Sequence, residues 1–312
     1  MELLSRSPIA PSGSLAPMNH CATLAELPDG TLLAAWFTGA FETAPDQHIV
    51  LARLPAGAQS WTAPQIAVDT PHQADGQPVF HQPRPGTLWL YYVTLHGPDW
   101  THARMMRRLS ADEGRRWGPP EALPFPAGFM FRSRPFSVGG GRWLFPGYDE
   151  RAWRSVILFS GDHGRHWGLG PTLETPVGNI HPCLIRGKDG GLMAYLRPGG
   201  TGGVLWRAHS QDQGRSWSTP EPTTLPNPNS GFDLIRLHDG RLLLANNPDP
   251  RRRTPLTLAV SQDEGTSWET VVVLEEGDAE YSYPWLLQQR TGTVHCVYTW
   301  RRRCIVHAVL HP

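Results

Sequence analysis

The sequence predicts an all-β protein, a six-bladed β-propeller occupying residues 1–312 as one domain. Three observations carry that prediction. The chain is dense in breakers, with 32 glycines and 31 prolines, and proline removes a backbone donor and clashes inside a helix. An eight-residue pattern returns at a nearly fixed interval. A second series of short apolar runs keeps step with it. Self-similarity at such a period marks stacked supersecondary units.

The pattern is Ser-x-Asp-x-Gly-x-x-Trp. It occupies residues 110–117, 160–167, 210–217 and 261–268, and a worn copy keeps only Gly57 and Trp61. Successive tryptophans are 56, 50, 50 and 51 residues apart. The apolar runs follow turns at Gly30, Gly86, Gly141, Gly191, Gly240 and Gly292. Six runs in 312 residues give a mean period of 52. Each period reads as strand, glycine turn, strand, loop, strand, Asp-containing turn, strand, which is one four-stranded blade. The sixth period lacks its outer strand. The N-terminal segment, residues 2–10, is expected to supply it and so leave no free edge. The motif itself reads as structural. Ser and Asp bond the backbone of a tight turn, Gly takes the positive φ, and Trp packs against the sheet.

Composition excludes several functions. Lys+Arg and Asp+Glu both number 28, and no basic stripe is present, so binding to nucleic acid or to an acidic membrane surface is not expected. No run of 18 apolar residues occurs, so no membrane span is expected. The opening MELLSRSPIAPSGSL lacks an apolar signal core, and a cytoplasmic location is the expectation. Cys21, Cys183, Cys296 and Cys304 are scattered and read as buried thiols, not a disulfide framework or a zinc site. No phosphate loop, dinucleotide fingerprint or HExxH occurs, so neither a cofactor nor a catalytic metal is expected.

Strand polarity locates the site. In an up-and-down blade the glycine turns and the Asp-containing turns share one face. The other face carries the starts of the innermost strands and the loops between second and third strands. Counting back from each turn glycine collects His20, Gln77, His181 and Tyr283 at nine or ten residues, Arg134 at seven and Gly231 at nine. Proline follows four of them, as Pro78, Pro135, Pro182 and Pro284. The second-to-third-strand loops add Asp46, His96, Asp99, Tyr148, Asp149, Glu150, Arg197 and the run Arg251, Arg252, Arg253; Asn229 lies just before blade five. A cavity lined by such groups is the default binding site of a propeller.

The four Ser-x-Asp-x-Gly-x-x-Trp turns resemble the Asp-box, or bacterial neuraminidase repeat, of the sialidase superfamily. The resemblance covers essentially the whole chain. Segments such as LPNPNSGFDLIRLHDGRLLLANN and EYSYPWLLQ are similar to its bacterial and plant branch. It implies an exo-glycosidase with a Tyr nucleophile, a Glu that activates it, an Asp acid/base and three arginines on the substrate carboxylate. Residue by residue, the resemblance gives Tyr283 the nucleophile's place and Asp46 the acid/base's. Arg197 takes the second arginine's place, and one of Arg251, Arg252 or Arg253, with Arg253 favoured, takes the third's. Glu280 and Tyr281 adjoin Tyr283, and Tyr281 is a rival nucleophile. Two positions depart from the family: His20 stands where the first arginine is expected and His181 where the activating Glu is expected.

Those departures have a chemical reading. An unperturbed phenol with a pKa near 10 needs a base or nearby cations to react at neutral pH, and His181 is a candidate base. His20, Gln77, Arg134, Arg197, Arg253, Asn229 and Glu280 form the candidate substrate-binding set. The expected partner is a carbohydrate bearing an anionic group, either sialic acid or a smaller uronate. Two alternatives stand beside hydrolysis: a polysaccharide lyase using His181 and Tyr283, and a carbohydrate-binding propeller without turnover.

Overall fold

The computed structural model describes residues 1–312. It contains six antiparallel sheets, the six blades of a β-propeller. The first strand, β1 (Glu2–Pro8), belongs to the last blade. Blade one is β2 (Met18–Glu26), β3 (Leu32–Gly39), β4 (His48–Leu54) and β5 (Gln65–Val68). Blade two is β6 (Asp75–Arg84), β7 (Thr87–Leu95), β8 (Ala103–Ser110) and β9 (Glu121–Ala122). Blade three has a broken inner strand, β10 (Phe129–Phe131) and β11 (Phe136–Gly139), both pairing with β12 (Arg142–Asp149), followed by β13 (Arg154–Ser160) and β14 (Gly168–Leu173). Blade four is β15 (Asn179–Arg186), β16 (Leu192–Pro198), β17 (Gly203–Ser210) and β18 (Glu221–Asn227). Blade five is β19 (Asp233–Arg236), β20 (Leu242–Asn246), β21 (Leu256–Ser261) and β22 (Glu269–Glu275). Blade six is β23 (Tyr281–Gln288), β24 (Val294–Trp300) and β25 (Cys304–His311), completed by β1.

The chain forms two compact units, one of Met1–Gly128 with Tyr283–Pro312 and one of Phe129–Ser282. In the first, β1 pairs antiparallel with β25, from Glu2 opposite His311 to Pro8 opposite Val306, which is the closure expected from the missing outer strand. Burial is greatest in the middle strands and least at the outer edges. Strands β3 and β16 are buried at every residue, as continuous apolar runs are when both faces are covered. The outer strands β1 and β9 are exposed throughout. All four cysteines are free and buried.

The Ser-x-Asp turns show why the motif repeats. In the first, Ser110 Oγ donates to Asp112 Oδ1 at 2.9 Å and accepts from Gly114 N–H at 2.7 Å, while Asp112 Oδ1 accepts from Arg116 N–H at 2.8 Å. The turns at Ser160, Ser210 and Ser261 repeat these bonds within 0.2 Å. Two successive left-handed residues make each turn, Glu113 with Gly114, His163 with Gly164, Gln213 with Gly214, and Glu264 with Gly265. Hydrogen bonds from Ser216 and Ser267 hold Asp212 and Asp263 down at about 2. The carboxylates therefore stay ionised as turn acceptors, a structural task. The worn copy has lost Ser and Asp, and its Trp61 indole N–H donates instead to His307 Nδ1 at 3.1 Å.

Candidate active site in the two units

The innermost strands of blades one, two and four carry the same irregularity. Two residues bulge opposite one on the second strand, between His20 and Thr23, Gly76 and Val79, and Ile180 and Cys183. The first bulged residue is left-handed in each, Cys21 at φ 59°, Gln77 at 52° and His181 at 50°. Tyr283 on β23 takes the same conformation at 53°. A non-glycine residue held there costs about 1–3 kcal/mol and persists where its surroundings over-determine it. Pro78, Pro182 and Pro284 follow three of the four; at a bulge the ladder forgoes the N–H that proline lacks.

This register corrects two expectations. The blade-one counterpart of Gln77, His181 and Tyr283 is Cys21, not His20, which sits one residue earlier and pairs with Phe37. Count-back from the glycine turn gives nine or ten residues, and one residue is the whole difference between two neighbouring positions on a strand. Arg134 is not on a comparable bulge either. It falls in the four-residue break between β10 and β11 and forms an ion pair with Asp233, which is 3% exposed. Gly231 precedes β19 and is not left-handed.

In the first unit the structure brings His20 and Tyr283 together. Their ring centroids are 4.3 Å apart, and His20 also meets the Phe37 ring edge-on at 5.5 Å. His20 Nδ1 lies 2.9 Å from Thr299 Oγ1, which accepts from the Cys21 N–H at 3.2 Å. The Cys21 thiol donates to Gln77 Oε1 at 2.9 Å. Asp46 lies exposed on the loop after β3, where both carboxylate oxygens accept from the Ala40 N–H at 3.2 Å. Asp99, another loop acid, caps a single 3₁₀ turn by accepting from the Thr101 N–H.

In the second unit a continuous hydrogen-bonded chain links most of the remaining candidates. His181 Nε2 lies 3.2 Å from the Tyr148 hydroxyl, and Arg197 Nη1 lies 3.2 Å from His181 Nδ1. Arg197 Nε donates to Asn229 Oδ1 at 2.7 Å. Arg253 Nη2 donates to the Asn229 main-chain carbonyl at 3.1 Å, and its Nη1 to Glu280 Oε1 at 2.9 Å. The Ser282 hydroxyl donates to the same Glu280 oxygen at 2.7 Å. Arginine is always a donor. The His181 nitrogen facing it must therefore be the acceptor, and the proton sits on Nε2, aimed at Tyr148. This neutral tautomer has spent its lone pair on a guanidinium, which argues against His181 as the general base.

Of the arginine run, Arg253 is the one tied into this chain. Arg252 bonds Asp249 through its main chain and is largely exposed, and Arg251 does the same at the loop surface. Tyr281 is fixed through its backbone, its N–H donating to the Arg253 carbonyl and its carbonyl accepting from Asn247 Nδ2. The sequence places Tyr148 among the loop residues and gives it no role. Asp233 as the partner of Arg134, and Thr299 beside His20, were missed altogether. They stand 99 and 279 residues from those partners, and nothing local signals them.

These features define a propeller of the Asp-box type. A family model described as a BNR repeat-like domain matches residues 30–296, and the chain belongs to that family. A curated sialidase from Micromonospora viridifaciens is 28% identical over 144 residues, which is 42% of this chain and 22% of that protein; the chain therefore spans a minor part of that relative. Among solved structures, the Hadza microbial sialidase Hz136 superposes with a TM-score of 0.85 at 21% identity, covering 98% of this chain and 68% of that one. A protein of unknown function from Dyadobacter fermentans gives 0.84 at 18% identity, covering 99% and 98%. The Trypanosoma rangeli sialidase, solved as a covalent intermediate with 2,3-difluorosialic acid, gives 0.79 at 15% identity, covering 97% and 58%.

Proposed function

We propose that this protein is an exo-acting glycoside hydrolase that removes a terminal sugar bearing a carboxylate. The observation that carries the reading is the pair of guanidiniums, Arg197 and Arg253, joined through Asn229 in the second unit. Charge-assisted bonds from arginine suit a carboxylate. The family and its sialidase relatives point the same way.

In this reading Tyr283 attacks the anomeric carbon through its phenolic oxygen. The Asp46 carboxyl gives its proton to the departing glycosidic oxygen. Water then displaces the phenol oxygen from the sugar, and the Asp46 carboxylate takes the water's proton. Tyrosine nucleophiles are a recognised departure from the two-carboxylate glycosidases. The imidazole in contact with Tyr283 is His20, and this reading gives it, and not His181, the task of taking the phenol's proton on attack and returning it when water displaces the phenol oxygen.

The test is release of an aryl group from aryl sialosides and aryl uronides by the wild type and by Tyr283→Phe. The expected result is release from one anionic glycoside and its loss in the variant. An unsaturated product absorbing in the near-ultraviolet would instead mark elimination. Glycan binding without release over long incubation would mark a lectin.

A further inference from the structure

We infer that Asn229 is a positioning residue that fixes Arg197 and Arg253 as a single receptor for a carboxylate, an inference that rests on the anionic-sugar reading above. One residue presents two carbonyl oxygens to two guanidiniums. Its side-chain carbonyl accepts from Arg197 Nε at 2.7 Å and its main-chain carbonyl from Arg253 Nη2 at 3.1 Å. Its amide nitrogen donates to the Gly200 carbonyl at 3.0 Å, so the orientation of the side-chain amide is set by two bonds, one at each end, to Arg197 and to Gly200 just past the end of β16.

The backbone is built for the task. Asn229 is left-handed at φ 56°, a region that asparagine enters more readily than most residues with a Cβ. Pro228 before it fixes its own φ. Asn227, fully buried, accepts from the Ser230 N–H at 2.9 Å and donates to the Ser230 carbonyl at 3.1 Å and to Asn246 Oδ1 at 2.7 Å. The turn is thus clamped on both sides of Asn229, and clamped by groups that carry no charge.

The choice of an amide follows from the ligand. A carboxylate at 229 would grip Arg197 more strongly but would place a negative charge where the sugar's own is received. An amide orients the guanidinium and adds none. His181 Nδ1, the other acceptor described for Arg197, is neutral as well. Arg134 is held by the carboxylate of Asp233 and Arg253 by that of Glu280, so the uncharged support is that given to Arg197 by Asn229 and His181.

Two variants test this. Asn229→Gly keeps a residue at ease with positive φ and keeps the main-chain carbonyl for Arg253, but deletes the bond to Arg197. Asn229→Asp keeps the shape and adds a charge. Binding of N-acetylneuraminate and glucuronate is measured by calorimetry, and KM and kcat on their aryl glycosides by initial rates. We expect N229G to weaken binding about 10-fold, the loss of one hydrogen bond to a charged group, with the change in KM and not in kcat. N229D should bind more weakly still at neutral pH and recover as acid protonates the new carboxyl. Wild-type affinity in N229G, or equal losses in KM and kcat together with a lowered melting temperature, would overturn the inference while leaving the anionic-sugar reading intact. A wild type that binds neither acid would overturn both.

Discussion

His295 Nδ1 and His307 Nε2 lie 2.8 Å apart in blade six, with their rings stacked at 5.1 Å. The pair sits inside a directional chain. Trp61 N–H donates to His307 Nδ1 at 3.1 Å, so His307 carries its proton on Nε2 and gives it to His295. His295 then donates from Nε2 to Gln289 Oε1 at 2.8 Å, and Gln289 Nε2 donates to the Gly30 carbonyl. Every acceptor is filled only when both rings are neutral. Burial pushes His295 down to about 4, and burial together with His295 pushes His307 down to about 3.

Stability is therefore expected to depend on acid in a definite direction. Both folded values lie below the unfolded 6.5. Below that pH the unfolded chain takes protons that the folded chain refuses, so stability is whole above about pH 6.5 and falls as pH drops toward 4 and 3. Melting temperatures measured from pH 7.5 to 4 should show this fall, and His307→Gln should have a shallower slope over the same range. A variant slope equal to the wild type's would assign the acid sensitivity elsewhere.

The serine of an Asp-box turn should matter more to stability than to chemistry. Ser210 Oγ is the donor to Asp212 and the acceptor for the buried Gly214 N–H. Ser210→Ala leaves that N–H unsatisfied, at a cost of about 1–3 kcal/mol. Denaturant titration should register the loss, and kcat/KM on any active substrate should not change.

Glycine in the Asp-box turn at Ser261 is required twice over. Gly265 has φ 81°, and a Cβ there would run into the Tyr195 hydroxyl, which belongs to a fully buried ring. Gly57 of the worn copy has φ 75° and open space around it. Gly57→Ala should cost only the left-handed strain, about 1–2 kcal/mol, while Gly265→Ala should cost that and the clash. Unfolding free energies of the two variants within error of each other would show that Tyr195 yields freely.

Asp46 should reveal its role through the leaving group. Proton transfer by a positioned side chain contributes about 10²–10⁴-fold. Asp46→Asn should therefore lower kcat by that order on alkyl glycosides, whose oxygen leaves badly unprotonated. Nitrophenyl glycosides of the same sugar, with a stable phenolate, should suffer much less. An equal loss on both would place Asp46 in binding and not in proton transfer.

The blade count and the structural nature of the Asp turns were legible because each depends on local spacing, and the closing strand because the sixth period lacks an outer strand of its own. Ser110, Asp112 and Gly114 meet one another through bonds spanning four residues or fewer, and the tryptophan interval repeats them. The bulge was half legible. Proline after Gln77, His181 and Tyr283 marks it, but blade one has Ala22 in proline's place, so counting back falls on His20 and not on Cys21. The tautomer of His181 was not legible at all. It depends on Arg197 reaching Nδ1 from the neighbouring strand β16 and Tyr148 reaching Nε2 from blade three, and no spacing along the chain encodes which nitrogen faces which group.

Pairing of β1 with β25 joins Glu2 to His311 and so sets the order of events during synthesis. Within the propeller β1 is made before every other strand and its partner β25 after them. At about 5–20 residues per second the ribosome needs roughly 15–60 seconds to make the intervening chain. Throughout that time β1 lacks its sheet neighbour. Its sequence, with Ser5, Arg6, Ser7 and Pro8 beside two leucines, and the exposure of every residue even when paired, suit a segment that must wait without finding the wrong edge.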